Sequence, residues 1–424
     1  MHARPLLALR ALAVLGLSVA TVLLAVLPVG AEPAAVATGP KAYIGLFKDN
    51  AVAVLDTARN QVITTVPIPA GPHGLVVTPD GKWVYASSDG DSTVSVIDTR
   101  TDEVTASIDV GPTPHGLAIT PDGSRVLVAG FGTDQVEAID TSSNQVIWRV
   151  AVPQPHNIAI TPDGTTAYAG SQKQDAPSLA IIDLASATQT GTVPLDHAPR
   201  ALNVSPDGED LVYSLAGVDA LQVLDLGTRQ PVTQVATGAS PHHPLFTPDG
   251  RLGLVVSQGP GTLDLFDPTA YTGTGSIKVG EMPHWIGATS DSRWAYVTNE
   301  KSNDVSVVDL ASGTVTASVP VGNAPRKIVV QPGPAAATAA PDAGGVSIDK
   351  FAFAPATLTA RPGQTITFTN TDPIAHTSTS RTGGWDSGEI APGGSFSLTL
   401  QQPGTYAYQC SIHPFMTGTV IVQG

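Results

Sequence analysis

The chain has 424 residues, enough for two or three domains, and a formal net charge of −15. Only 13% of its residues are charged and 42% are hydrophobic, which supports a sizeable core, while the acidic balance excludes nucleic acid and anionic membrane surfaces as partners. With a single cysteine, Cys410, the chain forms no internal disulfide.

Residues 1–31 read as a signal peptide. Arg4 and Arg10 supply the positive start, Ala11 to Leu27 is an apolar run, and Val29-Gly30-Ala31 offers small residues for cleavage before Glu32. The run is long for a signal, so an uncleaved anchor is the alternative. Both readings export the bulk of the chain, to the periplasm, the cell surface or the medium. No later stretch is long and apolar enough to span a bilayer, so no stable membrane insertion is expected after cleavage. A lone thiol in an oxidising compartment is a liability unless something, such as a metal, occupies it.

Residues 41–331 repeat. An aspartate ends a β-branched run at Asp56, Asp98, Asp140, Asp183, Asp225, Asp267 and Asp309, at intervals of 42 or 43 residues. A second marker keeps the same beat: Thr78-Pro79-Asp80-Gly81, with counterparts ending at Gly123, Gly164, Gly208 and Gly250. Proline presets φ there, aspartate bonds the backbone two residues on, and glycine accepts a positive φ. Apolar runs flank each turn, so every repeat reads as four short strands, the blade of a β-propeller. The array begins with a second-strand pattern, Ala42 to Leu46, and ends with a first-strand pattern, Arg326 to Val330. Joining them makes one blade from both ends of the array and gives seven blades with no open edge.

One position of the repeat carries chemistry. A proline just before each innermost strand is followed, in blade order, by His73, His115, His156, Arg200, His242, His284 and Arg326. Innermost strands line the channel, so these side chains should gather at one mouth. His73, His115 and His156 would suit copper or zinc; the two arginines would instead make an anion funnel. Inherited repetition without use is the competing reading. Tyr296-Val297-Thr298-Asn299 and the Asp-Thr or Asp-Leu strand ends resemble the YVTN family of seven-bladed propellers, a resemblance that implies fold and leaves function open.

Pro332 to Gly345 is Pro-, Ala- and Gly-rich and reads as a linker. Residues 346–424 form a different β pattern, with candidate strands Val346 to Phe351, Thr357 to Ala360, Thr365 to Asn370, Ser395 to Leu400, Gly404 to Cys410 and Thr417 to Val422, consistent with a β-sandwich. In Cys410-Ser411-Ile412-His413-Pro414-Phe415-Met416 a thiolate, an imidazole and a thioether recur at three-residue steps, and His376 supplies a second imidazole. Two histidines, a cysteine and a weak, distant methionine make the trigonal set of a type 1, or blue, copper site; zinc is chemically admissible.

With Phe351-Ala352-Phe353-Ala354-Pro355 and Trp385-Asp386-Ser387-Gly388, this region resembles the plastocyanin and amicyanin branch of the cupredoxins, the short Cys-x-x-His-x-x-Met loop being closest to amicyanin. The resemblance implies one copper held by His376, Cys410, His413 and Met416. It also implies electron passage through the exposed edge of His413, inside an apolar docking patch of Ala375, Pro414 and Phe415. Thr377 stands where many relatives carry asparagine, which leaves the hydrogen bonding of the sulfur open. A propeller followed by a cupredoxin is also the layout of nitrous oxide reductase, whose cupredoxin uses two cysteines for a dinuclear copper where this chain has one.

The sequence therefore predicts an all-β protein, a seven-bladed propeller followed by a cupredoxin sandwich. It is expected to be an exported electron carrier serving redox partner proteins rather than an enzyme, with the propeller as docking platform. The alternatives are a copper-dependent oxidoreductase with a second metal or ligand in the histidine ring, and a copper-binding or cell-surface interaction protein without turnover.

Overall fold

The computed structural model describes residues 39–333, 344–349, 351–360, 362–372 and 374–422, and among them there is no helix. The expected export segment and residues 334–343 of the expected linker lie outside the described residues.

Seven four-stranded antiparallel sheets form the propeller. Blade one combines Pro325–Val330 with Lys41–Leu46, Ala51–Asp56 and Gln61–Pro67, so the two ends of the array meet in one sheet. The register runs Ala42 with Val330, Tyr43 with Val329 and Ile44 with Ile328. Blades two to seven begin with the inner strands Pro72–Val77, Pro114–Ile119, Pro155–Ile160, Pro199–Val204, Pro241–Phe246 and Pro283–Ala288. The seven inner strands touch one another in a closed ring. The prolines and ring residues lie inside these strands rather than just before them, on an irregular register between, for example, Pro72 and Leu75. Proline survives there because the pairing is interrupted at that point.

Repeated contacts lock neighbouring blades. Tyr43 Oη donates to Asp102 Oδ1 of the next blade (2.7 Å), Tyr85 Oη to Asn144 Oδ1 (2.7 Å), and Tyr296 Oη to Asn60 Oδ1 (3.2 Å), the last joining blade seven to blade one. The Thr-Pro-Asp-Gly turns form as expected: Thr78 Oγ1 donates to Asp80 Oδ1 at 2.6 Å, and Gly81 sits at φ +70°. Each strand-ending aspartate accepts backbone N–H groups two or three residues on, as Asp140 does from Ser142 and Ser143.

The C-terminal domain is a two-sheet sandwich. One sheet orders Ala352–Ala354, Gly344–Asp349, Thr365–Asn370 and Ser395–Thr399; the other orders Thr357–Ala360, Thr417–Val422, Gly404–Gln409 and Thr379–Ser380. Its core gathers Val346, Ile348, Phe353, Ile366, Phe368 and Tyr408 with Cys410 and Met416. The first strand starts at Gly344, inside the expected linker, because Gly344 and Gly345 pair through backbone alone with Ile366 and Thr367. It stops before Phe351, which turns out of the sheet at φ +59°.

Ile328 is 1% exposed at the closing pair of blade one. Ile328→Ala should cost about 2–4 kcal/mol in urea unfolding of the propeller. Val315→Ala on an outer strand, where the side chain is 38% exposed, should stay within about 0.5 kcal/mol.

Candidate metal centre

The centre is assembled from two loops at one end of the sandwich. Cys410, His413 and Met416 occupy the tight connection between Gly404–Gln409 and Thr417–Val422. The connection is closed by Cys410 N–H to Met416 O (3.0 Å) and Met416 N–H to His413 O (3.0 Å). His376 follows Thr365–Asn370 and is fixed by exchanging backbone hydrogen bonds with Ile390 at 3.2 and 2.7 Å. The buried Asn370 amide donates to Ile374 O and Ile390 O, tying that loop to the sheet.

These two loops bring three ligand atoms together. His376 Nδ1 and His413 Nδ1 each lie 3.8 Å from Cys410 Sγ and 3.2 Å from each other. A point about 2.1 Å from all three atoms therefore exists, which is first-row metal–ligand distance for imidazole and thiolate. Among the described residues this is the one group of three such ligand atoms lying within 4.8 Å of one another. Met416 is buried in the same cluster as Cys410. The donor set of two imidazoles, a thiolate and a buried thioether fits copper.

The surroundings hold each ligand in place. His376 Nε2 lies 2.9 Å from Asp372 Oδ2, an electrostatic contact outside hydrogen-bond alignment, which turns Nδ1 toward the sulfur. Backbone N–H groups of Thr377 (3.3 Å) and His413 (3.4 Å) donate to Cys410 Sγ. The Thr377 donor to the sulfur is its backbone N–H, a bond that does not depend on the side chain at this position. The threonine hydroxyl instead accepts from Ser411 N–H at 2.7 Å, stapling the histidine loop to the cysteine loop.

His376 and Cys410 are fully buried, while the His413 edge is partly open. Around it Phe415 (71% exposed) and Pro414 stand out, and Ala375 is half-buried. Three further exposed side chains join them, Phe351, Ile374 and Ile412, none of them marked for the rim by a sequence pattern. The Phe351 ring meets His413 edge-on at 5.0 Å and His376 at 5.4 Å, and its N–H donates to Asp372 Oδ2 at 2.8 Å. The non-glycine positive φ that aims it there leaves no mark in a strand-like sequence.

The propeller histidines do gather at one mouth, stacked side by side. Ring centroids are 3.6 Å apart for His73 and His115, 3.9 Å for His115 and His156, and 4.2 Å for His242 and His284, while His73 and His156 are 6.1 Å apart. His115 Nδ1 donates to His156 O (3.0 Å) and His156 Nδ1 to Arg200 O (2.9 Å), each reaching the next blade. Burial pushes the imidazolium pKa of His73, His115, His242 and His284 well down and that of His156 to about 4, so the stack is neutral. Arg326 pairs with Glu300 at 3.2 Å and lies over Phe47, and Arg200 donates to Ser240 Oγ. His197, beside the ring in sequence, is exposed.

Fold and centre together define a two-domain all-β protein, a closed propeller followed by a cupredoxin domain of the copper electron-transfer class. The chain belongs to the YNCE-like beta-propeller family, which matches residues 7–333, and its C-terminal part matches the cupredoxin-like domain over residues 328–422. Over 99 residues, 22% of this chain and 78% of the relative, it is 32% identical to amicyanin-alpha of Methylorubrum extorquens. Its fold is similar to Kuenenia stuttgartiensis hydrazine synthase (19% identity, TM-score 0.58, 66% of this chain and 98% of that one). It is also similar to a functionally unknown protein from Desulfotomaculum acetoxidans (15% identity, TM-score 0.59, 69% and 99%). At these identities the likeness is one of fold alone. Among the described residues no helix is long and apolar enough to cross a membrane.

Removing the Thr377 hydroxyl leaves Ser411 N–H without its acceptor. Thr377→Val should lower the stability of the metal-free C-terminal domain by about 1–2 kcal/mol in urea unfolding, with Thr377→Ser close to wild type.

Proposed function

We propose that this protein is an exported electron carrier holding one type 1 copper through His376, Cys410, His413 and Met416. Its partner is a redox protein that docks on the apolar rim of His413. The observation that carries this reading is the coincidence of two features at one end of the sandwich: a triangle of ligand atoms at metal-binding separation, and the exposed Phe351, Ile374, Ile412 and Phe415 around its one open edge. All the large exposed apolar side chains described in this domain lie in that rim; the others, such as Ile147 and Val232, sit on outer propeller strands. Apolar side chains grouped around an open imidazole are what a transient partner needs.

Copper, when bound, supplies a one-electron couple between Cu(I) and Cu(II). The residues do the rest. His376 and Cys410 are closed off from water, Phe351 braces both imidazoles, and the donors from Thr377 and His413 fix the sulfur. A site whose ligands are already held by the fold moves little between oxidation states. Export is supported by the N-terminal sequence pattern and by the lone, fully buried cysteine.

Protein purified from its native compartment should carry one copper per chain with an intense visible thiolate band, and Cys410→Ser should lose both. A colourless, copper-free wild type would sink the reading. Phe415→Asp should keep the band and slow electron exchange with the partner about tenfold, the equivalent of 1.4 kcal/mol.

A second reading, an oxidoreductase with another metal in the propeller, is favoured by one observation. The carbonyl bond of His115 places its proton on Nδ1 and leaves its Nε2 lone pair free for ligation. It predicts that Cys410→Ser retains a metal that His115→Ala and His156→Ala remove. A metal-free Cys410→Ser protein would dismiss it.

A further inference from the structure

The residue after the ring position differs in size from blade to blade. Three consecutive blades, six, seven and one, put large groups there: His243, Trp285 and Lys327. The other four blades put Gly74, Gly116, Asn157 and Ala201. The glycines are required, since a Cβ at Gly74 would collide with His115 O and one at Gly116 with Asn157. His243 stacks on Trp285 at 3.6 Å, and the Lys327 ammonium lies 4.4 Å from the Trp285 ring centre. These three side chains floor a cavity of about 230 Å³ inside the propeller. Among its lining side chains Leu117, Ile158 and Leu202 are packed between blades, while Ala118, Ile119 and Ile160 stay partly open, with Asn203 as a further polar side chain.

Lys327 is 6% exposed. One of its three donors reaches Leu117 O across the channel at 3.3 Å, and among the described residues no carboxylate pairs with it. A buried ammonium without a counter-ion is costly, so the fold retains it at the expense of stability unless something completes it. What completes it must bring one negative charge, accept the remaining N–H donors and present apolar surface to the walls. A dianion would leave one charge uncompensated. A small inorganic ion would shed its water and gain no apolar contact. The volume lies below the roughly 300–1,000 Å³ of drug-sized sites, so the occupant is small.

We propose that this cavity binds a small organic monocarboxylate, its carboxylate on the Lys327 ammonium and its hydrocarbon part against the partly open Ala118, Ile119 and Ile160. The site is independent of the copper centre. Burial pushes the Lys327 pKa down to about 7, so above that pH binding takes up a proton and weakens. The histidines nearest in charge, His243, His115 and His156, stay neutral across this range.

The test uses the full-length protein with benzoate, its neutral isostere benzamide, and formate, which has the charge without the hydrocarbon. Calorimetric titration at pH 6 should show saturable benzoate binding near one per chain and a raised unfolding temperature, with little effect of benzamide or formate. Lys327→Met should weaken benzoate at least tenfold. Asn203→Asp, which keeps Lys327 but adds a carboxylate to the cavity, should do the same and serves if the first variant fails to fold. No benzoate binding to wild type, equal binding to the variants, or equal binding of benzamide or formate would overturn the proposal, whatever the copper content proves to be.

Discussion

The antiparallel pairing of Pro325–Val330 with Lys41–Leu46 is the constraint on which the propeller depends. Without it blade one has three strands, the inner ring has a gap, and two sheet edges face solvent. The pairing joins residues nearly three hundred positions apart, a larger loop closure than any pairing within the other blades. The same strand brings Arg326 to the channel mouth and Lys327 to its interior. Closing the propeller and burying an amine that has no carboxylate partner among the described residues are therefore one event. Apolar contacts around Ile328 and the bond from Thr298 Oγ1 to Arg326 O offset that burial.

The signature Tyr296-Val297-Thr298-Asn299 can be read letter by letter. Tyr296 crosses to blade one, Val297 is core, Thr298 bonds both its own inner strand at Trp285 N–H and the next blade at Arg326 O, and Asn299 caps the following turn through Asp304. Ser87 and Ser214 repeat the Thr298 bridge to His115 O and His242 O. Small hydroxyl residues thus set where the ring residues sit, which is why the ring position was legible from spacing alone.

The propeller, its blade count and its manner of closure could be read because turn residues mark every repeat by their own local chemistry. The grouping of His376, Cys410 and His413 could be read because soft or borderline donors fall in order within two short segments. What escaped was set by tertiary geometry. Gly344 and Gly345 carry no side-chain signal for a strand, and Phe351 leaves the sheet only because Asp372 accepts its N–H. Lys327 looks like an ordinary strand residue until its ammonium proves to lie over Trp285 inside the ring of inner strands. The stacking of the ring histidines, rather than their convergence on a point, likewise depends on the blade-to-blade carbonyl bonds.

The sole cysteine of the chain is fully buried, and the turn that carries it is closed by two backbone hydrogen bonds. In the metal-free protein an alkylating reagent can reach that sulfur only when the Cys410–Met416 turn opens. Its modification rate therefore counts opening events of one end of one domain. The chain carries its own clock for local breathing, with no competing thiol to blur the reading.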